Sequence, residues 1–400
     1  MMQNYSASDL PAPLKKALEN MGFNQPTPIQ AQAIPLALSG KDIMGSAQTG
    51  TGKTAAFCIP VVAQLLVHPE KTAFILAPTR ELAMQIRSVV DDLTHETKQL
   101  RATSIIGGAD MRKQKKNLQQ KPRIVVATPG RLADHIRRKN IDPKQVGYVV
   151  LDEGDRMLDM GFEKQIDEIL AQVPKERQTL LFSATLSERV QRLAQRYLKS
   201  PARVSVGPAS QPVAKIKHSI LPVAKAEKND VLLDQLNSRQ GSVLVFVNTK
   251  WGTNRLAQYL QEYGHSVARI HGDRTQGQRN QALQGFRSGK YRILVATDVA
   301  ARGLDVPHIA HVVNYDLPKD HSDYVHRIGR TARAGAKGEA LCLVSNEERG
   351  LWNKISQLYK LESLEPLARP KSPSKKLTSK NSRMPRRKFK KKAKSSRAWA

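Results

Sequence analysis

The chain has 400 residues, of which 40% are hydrophobic, and it carries a formal net charge of +30. This length and composition predict two globular domains rather than one, and the charge predicts attraction to a polyanion such as nucleic acid. No apolar run approaches the ~20 residues that a membrane-spanning helix needs. The amino terminus lacks a signal pattern, and Cys58 and Cys342 match no metal-ligand spacing. We therefore expect a cytoplasmic protein with reduced thiols and no membrane partner.

A segment near the amino terminus has the residues of a phosphate-binding loop. Gly50 and Gly52 allow the tight curvature that turns backbone N–H groups inward. Lys53 can reach the outer phosphates of a nucleotide, and Thr54 can offer its hydroxyl to Mg²⁺. Because the strict pattern has glycine where this chain has Ala47, a glycine-rich surface turn is the alternative.

A turn with two prolines precedes this loop and leads into a helix through Gln30. The amide of Gln30 can donate and accept hydrogen bonds at once, which suits the edge of a purine base. A simple helix-start role for Gln30 is the alternative.

From Lys71 onward, apolar strands alternate with amphipathic helices, which predicts an open α/β domain with a parallel sheet. Such sheets bind ligands at the carboxyl ends of their strands. The loops predicted at these ends carry hydroxyls, glycines and single arginines, as a sugar-phosphate track requires. They are residues 78–81, 107–108 and 128–131. Ordinary turns between strands and helices are the alternative for each loop.

A further predicted strand ends in two adjacent carboxylates, Asp152 and Glu153. Carboxylates in this position are costly to bury unless a cation or a reaction uses them. We assign Asp152 to Mg²⁺, directly or through water, and Glu153 to orienting and deprotonating an attacking water. An acidic helix start is the alternative. The hydroxyls of Ser183 and Thr185 end the next strand, where they can face the carboxylates, cap a helix, or do both.

Residues 207–216 have no periodicity and predict a linker, after which strands and helices resume without a second phosphate loop. Near the end of this half, Arg327, Arg330 and Arg333 would share one face of a helix. Three like charges on one face repel unless an anion lies opposite, and a nucleotide on the first domain would be such an anion. A solvated basic face is the alternative.

The last residues of the chain form a basic tail. Residues 366–400 hold fourteen Lys or Arg and no acid. A segment of this composition cannot bury a core, so we expect a disordered tail that contacts nucleic acid. A merely solvated tail is the alternative.

Taken together, these segments resemble the DEAD-box ATP-dependent RNA helicases, in particular the bacterial subgroup with short cores and basic tails. The resemblance implies two tandem RecA-like P-loop domains with open parallel sheets. Their predicted bounds are 1–206 for domain 1, 207–216 for the linker, 217–362 for domain 2 and 363–400 for the tail. It also implies an RNA-dependent ATPase that uses ATP and Mg²⁺. Closure of the domains would unwind or remodel RNA held mainly by its backbone, and ribosomal or RNA-decay partners through the tail are compatible with this family.

The resemblance also implies roles for individual residues. ATP would be bound by Tyr5, Phe23, Gln25 and Gln30 at the adenine, by Ala47, Gln48, Thr49, Gly50, Thr51, Gly52, Lys53 and Thr54 at the phosphates, and by Asp298 and Asp305. Catalysis would use Lys53, Asp152, Glu153 and the arginine fingers Arg330 and Arg333, with Mg²⁺ at Thr54 and Asp152. RNA would contact Pro78, Thr79, Arg80, Gly107, Gly108, Thr128, Gly130, Arg131, Gln276, Arg279 and Thr297. Hydrolysis would be coupled to strand separation by Asp155, Ser183, Thr185 and His326.

Two residues depart from the family pattern. Gly154 replaces an alanine, which is expected to loosen the turn by ~1 kcal/mol. Ala332 replaces a glycine, which favours helix there if the local backbone is right-handed. We expect hydrolysis to survive both changes. The rival functions are an ATP-independent RNA chaperone or annealing protein with a weak or uncoupled ATPase, and a DNA-directed translocase with the same paired domains.

Overall fold

The computed structural model describes residues 2–6, 8–47, 50–97, 100–206, 216–301, 306, 309–332 and 338–361. Within these residues the chain forms two fully parallel β-sheets, one in each half of the chain. Both sheets belong to the same compact unit. Among the described helices, none is both long enough and apolar enough to cross a membrane.

The first sheet has the strand order β3-β4-β2-β5-β6-β1-β7. Its described strands are β1 (Ile43–Ser46), β2 (Thr72–Leu76), β3 (Ala102–Ile105), β4 (Ile124–Ala127), β5 (Val146–Asp152), β6 (Gln178–Ser183) and β7 (Ala202–Ser205). The helices between them are α1 (Ala12–Asn20), α2 (Pro28–Leu38), α3 (Lys53–Val67), α4 (Arg80–Thr94), α5 (Met111–Gln119), α6 (Pro129–Arg137), α7 (Gly154–Asp159), α8 (Glu163–Gln172) and α9 (Glu188–Tyr197).

The second sheet has the strand order β10-β11-β9-β12-β13-β8. Its described strands are β8 (Lys217–Pro222), β9 (Val243–Phe246), β10 (Val267–Ile270), β11 (Ile293–Ala296), β12 (His311–Asn314) and β13 (Glu339–Val344). The accompanying helices are α10 (Lys228–Asn237), α11 (Lys250–Glu262), α12 (Gln276–Arg287), α13 (Asp298–Ala301), α14 (His321–Ile328) and α15 (Arg349–Tyr359).

Both sheets are covered by apolar side chains on their two faces. Along β2, Ala73 and Ile75 belong to one hydrophobic core, whereas Phe74 and Leu76 belong to the core on the opposite face. The residues of β9 alternate in the same way between two cores. Burial on both faces explains why these strands are continuous apolar runs in the sequence rather than alternating ones.

The strand order of the first sheet brings the predicted catalytic segments to one edge. Ser46 at the end of β1 pairs with Ser183 at the end of β6, and Asp152 at the end of β5 pairs with Phe182. The phosphate loop, the carboxylates and the hydroxyl segment therefore share the carboxyl edge of the sheet, as expected for an open parallel sheet.

These observations confirm the predicted fold class of two α/β domains with open parallel sheets. The predicted domain bounds stay a prediction. The linker falls outside the described residues except for Ile216, and the tail at 363–400 lies wholly outside them.

Candidate functional site

The phosphate loop has the backbone that its glycines predict. Gly50 and Gly52 have φ angles of 86° and 89°, in the region that favours glycine. Gly52 is required for a second reason, because a Cβ there would lie 2.5 Å from Nε2 of Gln30. The loop connects β1 to α3, and the backbone N–H of Ala47 donates to the carbonyl of Ser183 at 3.2 Å. Gln48 and Thr49 lie outside the described residues.

Lys53, the first residue of α3, is buried with only 6% of its surface exposed. Its ammonium group has no hydrogen-bond partner among the described residues. A buried ammonium without such a partner is costly, so this position favours an anion beside Nζ. Thr54 follows at the half-buried start of the same helix.

The amide of Gln30 connects the amino-terminal segment to the phosphate loop. Its Oε1 accepts hydrogen bonds from the Tyr5 hydroxyl at 2.6 Å and from the Thr27 N–H at 2.7 Å. Its Nε2 donates to the carbonyl of Gly52 at 3.0 Å. Gln30 is thus a residue of the first turn of α2 and also a contact to the loop, while its adenine-reading role stays a prediction.

The other residues predicted at the adenine lie nearby or at the surface. Burial raises the pKa of Tyr5 to about 12, so its hydroxyl stays protonated. The ring centroids of Tyr5 and Phe23 are 6.2 Å apart, and Phe23 is half-buried. Gln25 is exposed. A role for Phe23 and Gln25 in binding adenine therefore stays a prediction.

Asp152 and Glu153 are buried at the end of β5, and Glu153 has a left-handed backbone with φ 53°. Burial raises the pKa of Asp152 to about 7, although the charge of Lys53 partly opposes this. Burial alone would also raise the pKa of Glu153, but the positive charges of Arg156, Lys53 and Arg330 hold it at about 2. The two adjacent carboxyls therefore have opposite pKa shifts.

The helix-start alternative does not account for Glu153. It lies at the N-cap of α7, but its side chain makes no capping hydrogen bond. Instead, Oε2 of Glu153 accepts from Nη1 of Arg156 at 2.8 Å, and both side chains are at least nine-tenths buried. Arg156 was not predicted as a site residue. Its spacing of i+3 from an acid on a helix was the signal that could have indicated it.

A hydrogen-bonded network connects the end of β5 to the end of β6. Oδ2 of Asp155 accepts from both the N–H and the hydroxyl of Thr185 at 2.9 Å. The Asp155 N–H donates to the hydroxyl of Ser183 at 3.2 Å, and that hydroxyl donates to the Thr185 carbonyl at 2.7 Å. The cap of the next helix is Ser187, so the hydroxyls at 183 and 185 face the carboxylates instead.

Residues of α14 and its following turn extend to the same carboxylates. Burial and the charge of Arg156 lower the pKa of His326 to about 4, while Asp155 and Glu153 oppose the shift. Arg330 is buried, its Nε donates to the carbonyl of His326 at 3.2 Å, and its charge lowers the pKa of Glu153. The two halves of the chain therefore meet at Glu153.

The expected single face of three arginines is wrong for Arg327. Its Nε and Nη2 each bind an oxygen of Asp298 at 2.6 Å, and its Nη1 binds Asn314 at 2.9 Å. Arg327 is thus a buried structural residue of the second domain, and both oxygens of Asp298 are engaged by it. Since α14 ends at Ile328, Arg330 lies beyond the helix. Arg333 and Asp305 lie outside the described residues.

The backbone at Ala332 is left-handed, with φ 54°. The expected helix-favouring effect required a right-handed backbone at Ala332, so it does not apply. Alanine is strained in the left-handed region. At the other departure, a Cβ on Gly154 would lie 2.6 Å from Cδ1 of Leu181. The absence of a methyl group at 154 thus gives Leu181 its space.

Most of the residues predicted to contact RNA line one cleft of about 390 Å³ between the strand-end loops of the two sheets. They are Pro78, Thr79, Arg80, Gly107, Thr128, Gly130, Arg131 and Arg279. Gln276 is half-buried and donates to Asn280, while Thr297 is buried at the start of α13, and neither lines this cleft. Glu81, which belongs to the predicted loop 78–81 but was assigned no RNA contact, also lines the cleft. Met160, Phe162, Gly272 and Val299 line it too and were not predicted.

Arginines give the cleft its positive charge. The guanidinium of Arg80 lies on Gly108, where a Cβ would be 2.1 Å from Nη1 and the φ angle is 75°. Burial and the nearby charge of Arg279 lower the pKa of Arg80, and Arg131 adds to this effect. Arg131 itself donates to the carbonyl of Ala109 at 3.0 Å. Because Arg279 is paired with Glu81, the charges of Arg80 and Arg131 are the ones that favour an anionic ligand.

One buried ion pair joins the two domains across the cleft. Nε of Arg279 donates to Oε1 of Glu81 at 2.6 Å, and the side chains are 6% and 2% exposed. Nη1 of Arg279 also donates to the carbonyl of His271 at 3.1 Å. The RNA-contacting role of Arg279 stays a prediction, but its guanidinium already connects the two sheets.

Comparisons with known proteins agree with this geometry. A model of the DEAD/DEAH box helicase family matches residues 27–193, and a model of the helicase conserved C-terminal domain matches residues 227–335. The chain is similar to the DEAD-box ATP-dependent RNA helicase CshA of Bacillus subtilis (strain 168). They are 45% identical over 356 residues, which cover 88% of this chain and 72% of the relative.

Solved structures show the same architecture. The structure of S. cerevisiae Dbp5 bound to RNA and ADP BeF3 has a TM-score of 0.81 at 32% identity, covering 90% of this chain and 94% of that chain. A variant of Dbp5 bound to Nup159, Gle1, IP6 and ADP has a TM-score of 0.60, also at 32% identity, covering 88% and 94%.

The sheets are thus RecA-like domains. The chain belongs to the DEAD-box ATP-dependent RNA helicases, and its activity is RNA-dependent ATP hydrolysis that unwinds or remodels RNA.

Proposed function

We propose that the phosphates of ATP bind at Lys53 and that Arg330 approaches them from the second domain. The observation that carries this proposal is the buried Lys53 ammonium, which lacks a hydrogen-bond partner among the described residues. A phosphate would supply the missing hydrogen-bond acceptor. Arg330 is buried close enough for its charge to act on Glu153, so it can stabilise the charge that develops during phosphoryl transfer.

Mg²⁺ fits the oxygen donors of this site. The Thr54 hydroxyl and the Asp152 carboxylate are ligands of the kind that Mg²⁺ prefers, and the ion usually keeps several waters. No group of three or more His, Cys, Asp or Glu side chains able to hold a metal occurs within the described ranges. Phosphate oxygens and waters would therefore complete the ligand set. When bound, the ion neutralises phosphate charge.

We propose that Glu153 orients the attacking water and takes up its proton as the reaction proceeds. A carboxylate with a pKa of about 2 is ionised at every physiological pH but is a weak base. Its partner Arg156 holds the carboxylate in a fixed position at 2.8 Å. Orientation by a fixed acceptor lowers the barrier without requiring full proton transfer at the start of the reaction.

The network of Asp155, Ser183 and Thr185 supports the proposed coupling role of these residues. It joins the strand that carries the carboxylates to the end of β6, next to the phosphate loop. His326 approaches the same carboxylates from the second domain. A change at the phosphates can therefore be transmitted to the contact between the two domains.

We propose that the cleft binds single-stranded RNA through phosphates and 2′-hydroxyls. Arg80 and Arg131 supply positive charge beside the Arg279–Glu81 ion pair. The Thr128 hydroxyl accepts a hydrogen bond from the Gly107 N–H at 3.3 Å. Contacts of this kind position a strand without reading its sequence, and contacts to the 2′-hydroxyl distinguish RNA from DNA.

We also propose that the protein acts in the cytoplasm and that residues 363–400 add RNA affinity or recruit ribosomal or RNA-decay partners. The composition of this tail supports the RNA contact, because fourteen cations lie in residues 366–400 without an acid. Its contribution to RNA affinity would fall with rising salt, by a slope of ~0.7 for each phosphate contacted.

The test is the steady-state ATPase rate with no nucleic acid, with single-stranded RNA and with the same DNA sequence, each at two salt concentrations. Stimulation by RNA alone is expected. Lys53→Ala and Glu153→Gln should each abolish turnover, whereas Lys164→Ala, which changes an exposed lysine of α8, should not. Appreciable turnover in Glu153→Gln would overturn the role assigned to that carboxylate, and equal stimulation by DNA would overturn the role of the 2′-hydroxyl.

A further inference from the structure

The first turn of α11 exposes a tryptophan. Trp251 has 69% of its surface exposed, the largest fraction among the large hydrophobic residues in the described part of the chain. A tryptophan ring offers a large apolar face that usually packs in a core or an interface. An exposed ring at this position therefore indicates a binding role.

The ring is held in place by a cation. The guanidinium of Arg255, one turn later on the same helix, lies 5.3 Å from the centroid of the Trp251 ring. This cation–π contact orders the ring at low cost. Because most of the residue surface stays exposed, the contact leaves a large part of the ring open to a ligand.

The helix turn that carries the ring lies next to the cleft. The residue before Trp251, Lys250, extends its side chain over Gly272, where a Cβ would lie 3.3 Å from Cε of the lysine. Its Nζ also contacts Asp273 at 2.6 Å. Gly272 lines the RNA cleft, so the first turn of α11 forms part of the rim on the side of the second domain.

The cleft and the ring offer complementary chemistry to a nucleic-acid strand. The cleft presents guanidinium groups and hydroxyls, which suit phosphates and sugars. These groups leave the bases without a contact. A flat aromatic face at its rim, flanked by Lys250 and Arg255, suits an unstacked base whose phosphate is already held nearby. No sequence preference is needed, because every base has a π-face.

We propose that Trp251 is a stacking platform for one base of the single-stranded RNA where the strand leaves the cleft over the second domain. This inference rests on the proposed function of the cleft and adds a base contact to a site that otherwise binds the backbone. Three observations together favour a nucleic-acid strand as the occupant: the open cation–π pair, the contact of its helix turn with Gly272 through Lys250, and the charge of Arg255.

Binding is tested by titrating an oligouridine of about ten nucleotides, within the usual range of single-strand site sizes, in the ATPase assay. Trp251→Ala should raise the RNA concentration for half-maximal stimulation about fivefold to tenfold, the lower end of the range for base–aromatic stacking. Trp251→Phe, which keeps an aromatic face, should restore most of the affinity. The matched control is Tyr263→Ala, because Tyr263 is also exposed, at 57%, but lies at the far end of α11.

A scan with one abasic nucleotide at a time identifies the base. For the wild-type protein, an abasic nucleotide at one position should lower the affinity for RNA. For Trp251→Ala, an abasic nucleotide at that same position should lower the affinity no further. An equal effect of Trp251→Ala and Tyr263→Ala, or an unchanged abasic profile in Trp251→Ala, would overturn the proposal. Absence of RNA stimulation in the wild-type protein would instead overturn the proposed function itself.

Fluorescence gives a direct readout. The chain has three tryptophans, and Trp352 is fully buried. In a Trp399→Phe background, oligouridine should quench the emission of Trp251, and the additional change Trp251→Phe should remove that quenching. RNA that stimulates the ATPase without quenching would show that no base stacks on this ring and would contradict the proposal, leaving a protein partner as the occupant to test.

Discussion

The ion pair between Glu81 and Arg279 should control closure of the two domains. It joins residues of different sheets at 2.6 Å, and both side chains are almost fully buried. When the sheets separate, both groups can be hydrated, so the free energy of the pair contributes only to the closed state. Weakening it should therefore raise the RNA concentration needed for stimulation of the ATPase.

The expected magnitude follows from what each substitution leaves behind. Glu81→Gln keeps an acceptor but loses the charge, which costs about 1.5 to 3 kcal/mol, or roughly tenfold to a hundredfold in RNA concentration. Glu81→Ala leaves the Arg279 charge buried without a counter-charge, and that costs about 3 to 5 kcal/mol. The double variant Glu81→Ala, Arg279→Ala should lose clearly less than the sum of the single variants, because no buried charge remains.

The assay is RNA-stimulated ATPase, supported by energy transfer between dyes placed on the two domains. The matched control is Glu348→Gln, which weakens an ion pair within the second domain, where Lys228 Nζ lies 2.7 Å from Glu348 Oε2. That variant should lower the free energy of unfolding without affecting closure. Additive effects of the two alanine variants, with a coupling energy below about 0.5 kcal/mol, would refute the role of the pair.

Four further substitutions concern single positions. Gly108→Ala should lower RNA affinity and cost about 1 to 2 kcal/mol of stability, since its φ is positive and its Cβ would overlap Arg80. Gly350→Ala should instead stabilise the protein by up to about 1 kcal/mol, because the added Cβ would have no atom within 4 Å and the helix there is right-handed. Denaturant titrations of both glycine variants measure these changes in stability. Ala332→Gly should stabilise by about 1 kcal/mol because the backbone there is left-handed, and unchanged unfolding would contradict that reasoning. His326 has a folded pKa of about 4, below its unfolded value, so its contribution is present above pH 6.5 and is lost as the pH falls toward 4. His326→Gln should therefore make stability less sensitive to acid between pH 7 and pH 5, by about 2 kcal/mol, and an identical pH dependence in the variant would exclude this role.

The sequence by itself determined the features that contiguous residues produce. The phosphate loop was predicted because its glycines, lysine and threonine are neighbours whose backbone conformation follows from local sterics. The two parallel sheets were predicted because strands buried on both faces are continuous apolar runs. Asp152 and Glu153 stood out for the same local reason, since they follow such a run directly.

Only the tertiary structure decided which distant side chains meet. Arg327 looked like part of a nucleotide-binding face, but Asp298 and Asn314 bury it within the second domain. Glu81 showed no partner in the sequence, because Arg279 lies 198 residues away. Periodicity and spacing report the direction of a side chain relative to its own helix or strand. Pairing, desolvation and the resulting pKa shifts depend on packing between elements, and that packing exists only once the two sheets are assembled.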